Sequence, residues 1–449
     1  MKWWRWLLVV SLISSSWAQA ATVFYDPRQE AQLALQRIQD NLRDPQITPG
    51  AVIASPSRQG PDYFYHWVRD AGLTMGTLID NAPRTPQWGS FFRRWVSFEN
   101  LVQQKAIENN QLGEPKFHVN GEVFRGPWGR PQNDGPAIRA RSYMLLTGSA
   151  DGLAIADLEY TREKWREADF DLWEEVKGQH FFTRYAQMSS LRLAAQLLMG
   201  RDVVRARAYM SEATAIENSL HRFVDSNRGL VVPTIGHVQG VQKPSGLDVS
   251  VILAPLYFGA SPRWSFSQSY ILSTAQKIED AFRRLYPVNQ RFAHMAPGIG
   301  RYPEDVYDGN GFGQGHAWFL ATFAMAELHC HLVQELAQRS FVKIDPINRE
   351  FYRAALPTLS VPPQGGTLNP QQDEFWELLR SLQDKGQSYI QRSLFHGGAD
   401  RHFAEQFDRD SGYRRGARDL TWSYAAAVRA YNACHSAHRF LSPRQSLKR

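Results

Sequence analysis

Two adjacent carboxylates stand beside an indole in the run Phe170-Asp171-Leu172-Trp173-Glu174-Glu175-Val176, ahead of an apolar stretch that opens at Phe181. If the run is helical, successive side chains are rotated by about 100°. Glu174 and Glu175 would then face different ways, one into a pocket as an acid and the other toward a ligand or structural partner. An indole next to a carboxyl excludes water, and apolar surroundings raise a carboxyl pKa, so a glutamate there can hold a proton near neutral pH. Taken alone, these residues favour a plainer reading, a solvated helix start with acids at its positive end. The rest of the chain changes that balance.

Four further runs carry chemistry. Tyr63-Phe64-Tyr65-His66-Trp67-Val68-Arg69-Asp70 ends in a cation–anion pair at a helix start. Such a pair can fork hydrogen bonds onto vicinal hydroxyls while Trp67 covers an apolar ring face; by itself it is also an ordinary N-terminal ion pair. Gly126-Pro127-Trp128-Gly129-Arg130-Pro131-Gln132-Asn133-Asp134-Gly135-Pro136 contains three prolines and three glycines, a rigid loop able to hold Trp128 in one place. In Gly300-Arg301-Tyr302-Pro303-Glu304-Asp305-Val306-Tyr307, Arg301 and Asp305 can grip hydroxyls or form a surface salt bridge. Glu405, in Phe403-Ala404-Glu405-Gln406-Phe407-Asp408, reads alone as a loop acid. Inverting glycoside hydrolysis needs two carboxyls about 6.5–9.5 Å apart on opposite sides of the bond, and distant segments can supply them. Asp171 is the rival base. An (i, i+3) pair on one helical face lies only about 5–6 Å apart, so Asp171 and Glu174 would approach from the same side. The reading therefore pairs Glu174 with Glu405 and keeps Asp171 as the alternative base and a hydrogen-bonding neighbour.

Helices must position these groups. Apolar residues recur at helical spacing over Gln29–Leu42, Tyr65–Ile79, Trp88–Ile107, Pro136–Leu146, Phe181–Met199 and Asp202–Phe223. The pattern resumes over Leu247–Tyr257, Phe266–Leu285, Gly315–Ala337, Ile347–Ala355, Glu374–Ser393 and Thr421–Phe440. Strand-like alternation is scarce, with Gly229–Pro233 one example. Long loops rich in glycine, proline and aromatics fall at Gly113–Gly135, His294–Gln314 and Phe395–Arg418, where function concentrates. About a dozen helices in sequential pairs suggest a toroid of helical hairpins, with an irregular bundle as the alternative.

Composition narrows the class. The 449 residues are 43% hydrophobic and 21% charged, ordinary globular values, but include 14 tryptophans, a residue suited to sugar sites. The net charge is +7, with no basic stripe interleaved with aromatics, so nucleic-acid binding has little support. Lys2 and Arg5, the apolar Leu7–Ile13 and Ala18-Gln19-Ala20 read as a cleavable export signal over residues 1–20. That apolar core is too short to span a bilayer, and export leads to the periplasm or the medium with no membrane attachment after cleavage. Residues 21–449 read as a single domain. Cys330 and Cys434 can pair in an oxidising compartment or stay as two buried thiols. Nothing resembles a zinc cluster or other metal site.

Together these runs resemble the glucoamylase family of glycoside hydrolases, in its yeast-like type. The resemblance rests on Tyr63-Phe64-Tyr65-x-Trp67-x-Arg69-Asp70, Trp128-Gly129-Arg130-Pro131-Gln132, Asp171-Leu172-Trp173-Glu174-Glu175-Val176, Arg301-Tyr302-Pro303-Glu304-Asp305, Glu405-Gln406-Phe407-Asp408 and Ala417-Arg418-Asp419-Leu420-Thr421-Trp422-Ser423-Tyr424, in the family's order. It implies an all-α (α/α)6 barrel and release of β-D-glucose with inversion from non-reducing ends of starch-like α-glucans. It implies no metal or organic cofactor. By the matched runs, Glu174 corresponds to the general acid, Glu405 to the general base and Glu175 to a substrate-binding carboxylate. Tyr63, Trp67, Arg69, Asp70, Trp128, Leu172, Trp173, Arg301, Asp305 and Trp422 fall on positions lining the first subsites. At Gly315-His316-Ala317-Trp318-Phe319 the chain departs from the usual Asn-Pro pair, though Trp318 remains as a substrate-binding aromatic. No starch-binding module is expected, so soluble dextrins and short malto-oligosaccharides should be better substrates than granules. The expected protein is a monomer whose partner is its α-glucan. Activity should be bell-shaped in pH, with Glu405 ionisation on the acid limb and loss of the Glu174 proton on the alkaline limb. Same-fold hydrolases of isomaltose, dextran or trehalose are the near alternatives, and a non-catalytic glycan-binding protein the distant one.

Overall fold

A helix buried on all sides must be apolar or small all round, whereas one with a solvent face is striped. Both kinds occur here and they alternate along the chain. The computed structural model describes residues 25–441; the signal-like segment 1–20 and the basic residues Arg444, Lys448 and Arg449 lie outside the described residues. In order, the helices are α1 Pro27–Leu42, α2 Val68–Asn81, α3 Pro86–Glu108, α4 Asp134–Thr147, α5 Leu153–Lys164, α6 Phe181–Leu198 and α7 Val203–Ser219. Then follow α8 Ser250–Phe258, α9 Ser269–Leu285, the short α10 Pro287–Arg291, α11 Phe319–Arg339, the short α12 Arg349–Ala355, α13 Asp373–Gly397 and α14 Thr421–Ala437.

Six of them make an inner ring. α2, α4, α6, α8, α11 and α14 each pack against the next, and α14 returns to α2. Outside the ring, α1 lies on α14, α5 on α4, α7 on α6, α9 on α8 and α13 on α11, while α3 packs beside α5. This is the expected (α/α)6 barrel. The inner helices show why their sequences look as they do: every residue of α8 is buried, and α14 buries a run of alanines that lets neighbours approach closely. Cys330 of α11 and Cys434 of α14 form a disulfide between adjacent inner helices, which resolves the alternatives left open by the sequence. Closing a loop of 104 residues removes chain entropy from the unfolded state, on the order of 4–5 kcal/mol.

Two expectations change. The run from Asp171 to Glu175 is not helical. It is the turn of a hairpin between strands Asp169–Phe170 and Val176–His180, the second of which also pairs with Thr234–Gly240. Helix α5, absent from the sequence reading, occupies Leu153–Lys164; its polar residues are spread around the axis and its periodicity is weak. The short α10 is likewise absent from that pattern; the remaining helices fall where the periodicity puts them, apart from end residues. α2 starts at Val68 rather than Tyr65 because His66 and Trp67 pair with Phe117 and Lys116.

The pair Val342–Ile344 and Gly366–Leu368 follows the far end of α11, but the long loops and most of the short strands gather at one end of the barrel. That end is where the inner helices begin: Trp67 caps α2, Trp318 caps α11 and Leu420 caps α14. The positive ends of several helix dipoles therefore converge on the region that holds the carboxylates.

Candidate active site

A cavity of about 340 Å³ opens at this end. Glu174, Glu175 and Glu405 all line it, although the last is 230 positions further along the chain than Glu175. Tyr63, Trp67, Arg69, Asp70, Trp128, Leu172, Trp173, Arg301, Trp318 and Trp422 line it too. Of the residues singled out from sequence, Asp171 and Asp305 do not.

Glu174 sits in the left-handed region at φ 68. The strain is held by the hairpin. Asp171 accepts hydrogen bonds from the Glu175 and Val176 amides at 2.9 and 3.0 Å, and its other oxygen pairs with Lys243 at 3.2 Å. Burial opposes ionisation of Asp171, but Lys243, His180 and those amides outweigh it, and its pKa lies below the usual value. Asp171 is thus a fixed anion inside the turn, beneath the cavity. Lys243 also reaches Asp248 at 2.7 Å, and Asp248 accepts from the Trp173 indole at 3.0 Å. Gly240, at φ +101, lets the next strand touch the Glu175 carbonyl, where a Cβ would overlap that oxygen.

One carboxyl oxygen of Glu174 is saturated. Its Oε1 accepts from Trp67 Nε1 at 2.9 Å, Gln132 Nε2 at 3.1 Å and Arg69 NH2 at 3.3 Å. A proton on this side chain must therefore reside on Oε2. Arg69 does not pair with its neighbour Asp70 as the sequence suggests. Its NH1 goes to Gln132 at 2.8 Å and to Asp134 at 3.0 Å. Asp70 is left facing the cavity, and burial, against the pull of Arg69, raises its pKa to about 6.

Glu175 binds differently. Its Oε1 accepts from Arg301 at 2.8 Å and its Oε2 from the Tyr302 hydroxyl at 2.5 Å. Arg301 is in turn forked by Asp305, whose two oxygens accept at 2.8 and 2.6 Å. Asp305 orients Arg301 instead of facing the cavity.

Glu405 is fully buried. The Tyr307 hydroxyl donates to its Oε2 at 3.3 Å, and the Tyr63 hydroxyl lies 2.8 Å from that of Tyr307. Its Oε1 has no donor among the described residues. Burial pushes the pKa of Glu405 up from 4.5 to about 8, against the opposing effects of Tyr63, Arg301 and Tyr307. The sequence reading placed the desolvated acid at Glu174; the structure desolvates Glu405 and surrounds Glu174 with donors. Gly416, at φ +71, packs against the Glu405 carboxylate so closely that any Cβ would collide with Oε2.

Two groups of aromatic rings wall the space. Trp67 and Trp128 lie 5.9 Å apart and share a cation: Lys116 sits 3.8–4.4 Å from the rings of Trp128, Tyr65, Phe124 and Trp67. Opposite them, Trp173 stacks on Trp422 at 6.2 Å and tilts against Trp318 at 5.6 Å. Trp422 donates to the Tyr257 hydroxyl at 2.8 Å, which fixes its ring. His316, where the sequence departs from the familiar pattern, is buried; its Nδ1 accepts from the Arg409 amide at 3.0 Å and so anchors the loop after Glu405.

Several carboxyls lining an indole-walled cavity in an (α/α)6 barrel define a narrow class. The model of Glycosyl hydrolases family 15 matches residues 29–432. The chain belongs to that family.

As a family 15 member it is a glycoside hydrolase of the glucoamylase group. It is 34% identical to Glucoamylase 1 of Rhizopus oryzae over 412 residues, covering 87% of this chain and 67% of that protein. It is 31% identical to a probable glucoamylase of Schizosaccharomyces pombe, covering 90% of each. A solved glucoamylase from Saccharomycopsis fibuligera superposes with a TM-score of 0.82 at 27% identity, over 92% of this chain and 95% of that one. One from Hypocrea jecorina gives 0.81 at 29% identity, over 91% and 72%. No helix among the described residues is long and apolar enough to cross a membrane. Several site residues carry no sequence signal of their own. Lys116, Lys243, Asp248 and Tyr307 act through contacts between distant segments; Lys116 lies in the Gly113–Gly135 loop and Tyr307 at the end of the Arg301 run, whereas Lys243 and Asp248 lie in no motif singled out from sequence.

Proposed function

We propose that this family 15 enzyme hydrolyses terminal α-1,4 and, more slowly, α-1,6 glucosidic bonds from the non-reducing ends of starch, dextrins and malto-oligosaccharides, and that it releases β-D-glucose by inversion. The observation that carries this reading is the contrast in hydrogen bonding of two acids on one cavity. Glu174 has one oxygen capped by three donors and the other free to deliver a proton. Glu405 has a buried oxygen with no donor among the described residues, the acceptor in this reading for the proton of the attacking water. The cavity volume lies at the small end of ligand pockets, which span about 300–1,000 Å³. That suits a terminal sugar better than the middle of a polymer.

In this scheme the terminal glucose enters between the indole walls. Arg69 and Asp70 hold its outer hydroxyls on one side, while Glu175 and Arg301 bind on the other. Glu174 passes its Oε2 proton to the glycosidic oxygen as the bond to the anomeric carbon breaks. Glu405 removes a proton from water as that water attacks the opposite face. Positive charge developing on the ring is stabilised by the surrounding carboxylates. Asp171, already committed to an ammonium and two amides, does not serve as base. The productive form holds one proton, on Glu174. Burial raises the pKa of Glu405 and so moves the acid limb of the pH profile, which follows ionisation of the base, upward.

Residues 21–449 then act as one catalytic unit. The disulfide suits an oxidising compartment and supports export directed by residues 1–20. The test is proton NMR of maltotriose during hydrolysis. β-Glucose should appear first and mutarotate to the α form. Initial α-glucose, or no glucose at all, rejects the reading, and faster release from isomaltose or trehalose than from maltose would reassign the linkage.

A further inference from the structure

A second cavity, of about 270 Å³, lies behind the hairpin that carries the two adjacent glutamates. It is bounded by the end of α5, the first turn of α6, the turn after α7 and the strand Thr234–Gly240. Three arginines line it: Arg166, Arg184 and Arg222. Arg184 is 3% exposed, and no hydrogen bond to its guanidinium exists among the described residues; its NH1 is buried without a partner. A buried guanidinium N–H without a partner is costly, and native proteins rarely leave one.

The neighbouring charges do not account for it. Arg166 is partly neutralised by Glu212 at 3.3 Å. Neither Arg184 nor Arg222 has a carboxylate within ion-pair distance among the described residues. The nearest acid acting on Arg184 is Asp169, but it accepts the Asn133 amide at 2.8 Å, and burial holds its pKa well above the carboxylate range. Burial, then repulsion from Arg222 and Arg166, pulls Arg184 down to about 10 against the attraction of Asp169. An anion placed among the three would relieve all of this. The indole of Trp165 lies 4.9 Å from the Arg184 guanidinium carbon, and Phe223 and Ile235 complete an apolar wall.

We propose that this cavity binds a phosphoryl group, free or on a small ester, through Arg184 with Arg222 and Arg166. Planar guanidinium forks match tetrahedral oxyanions in two-point hydrogen bonds. The volume leaves room for a small organic substituent against the apolar wall. The site is separate from the sugar cavity and does not rest on the catalytic assignment.

The experiment is calorimetric titration of the full chain with inorganic phosphate and, separately, glycerol phosphate, with chloride holding ionic strength constant. Wild type should bind at least one of them saturably at one equivalent, and its melting temperature should rise with ligand concentration. The tighter of the two identifies a free or esterified group. Arg222→Gln changes an exposed residue and should keep the ligand-free melting temperature while weakening binding about tenfold. Arg184→Met should abolish binding. Absence of saturable binding to either ligand, or equal binding by wild type and Arg222→Gln, overturns the proposal. The Arg222 variant decides the matter even if Arg184→Met does not fold.

Discussion

The hairpin turn of Glu174 and the loop of Glu405 solve opposite problems. Glu174 is partly open, with 17% of its side chain exposed, and is held by three donors on one oxygen. Glu405 is shut away from bulk water, with a phenol donating to one oxygen and no donor at the other among the described residues. Both rest on a glycine with positive φ, Gly240 beneath the hairpin and Gly416 beneath the loop. The lesson is that a pair of identical side chains acquires two roles from its surroundings. Donors crowded on one oxygen fix where a proton can sit, whereas desolvation leaves a carboxylate eager for any donor the solvent brings.

The strongest way to break that contrast is to neutralise each acid. Glu174→Gln should lower turnover by about 10³-fold or more, with little change in ground-state binding of maltose. Glu405→Gln should lower it by about 10²–10³-fold. Single-turnover kinetics with maltotriose would measure both, and an unimpaired Glu174 variant would remove the acid assignment.

Gly416→Ala probes the packing beneath Glu405 while keeping every acid. The new Cβ collides with the Glu405 carboxylate and the backbone must hold φ +71. Turnover should fall about tenfold, and stability by on the order of 1 kcal/mol. Urea denaturation and steady-state kinetics read the two effects separately. An unaffected rate would mean that the position of Glu405 is not critical.

The smallest effect concerns stability against pH. Native Glu405 keeps its proton to about pH 8, whereas an unfolded glutamate releases it near 4.5. Between those values the native state binds more protons than the unfolded state. Its stability therefore falls as pH rises through that window and levels off above it. Glu405→Gln lacks this loss, so its melting temperature should gain on wild type from pH 4.5 to 8. A constant difference across that window would show that Glu405 is not desolvated.

Much of this was legible from residue order. Helical periodicity located the barrel helices other than α5, whose repeat is weak, because periodicity is a local property of each segment. The acids, the indoles and the arginines announced themselves by type. The hairpin did not, because Val176-Lys177-Gly178-Gln179-His180 alternates buried and half-buried positions without alternating apolar and polar residues. Asp171 is the hydrogen-bonding neighbour that the sequence suggests, but Asp305 braces Arg301 instead of lining the cavity, since a carboxylate looks the same in sequence whether it faces a ligand or an arginine.

By itself the sequence determined the helix-rich architecture and the chemical kinds gathered at one end, because those follow from short-range periodicity and side-chain type. Only the tertiary structure decided which carboxyl is dry and which is held. It also decided that Arg69 turns to Asp134 rather than to Asp70, and that three arginines surround an unclaimed cavity. Burial and hydrogen-bond partners are contributed by segments hundreds of residues apart, and solvation belongs to the folded neighbourhood, not to the residue.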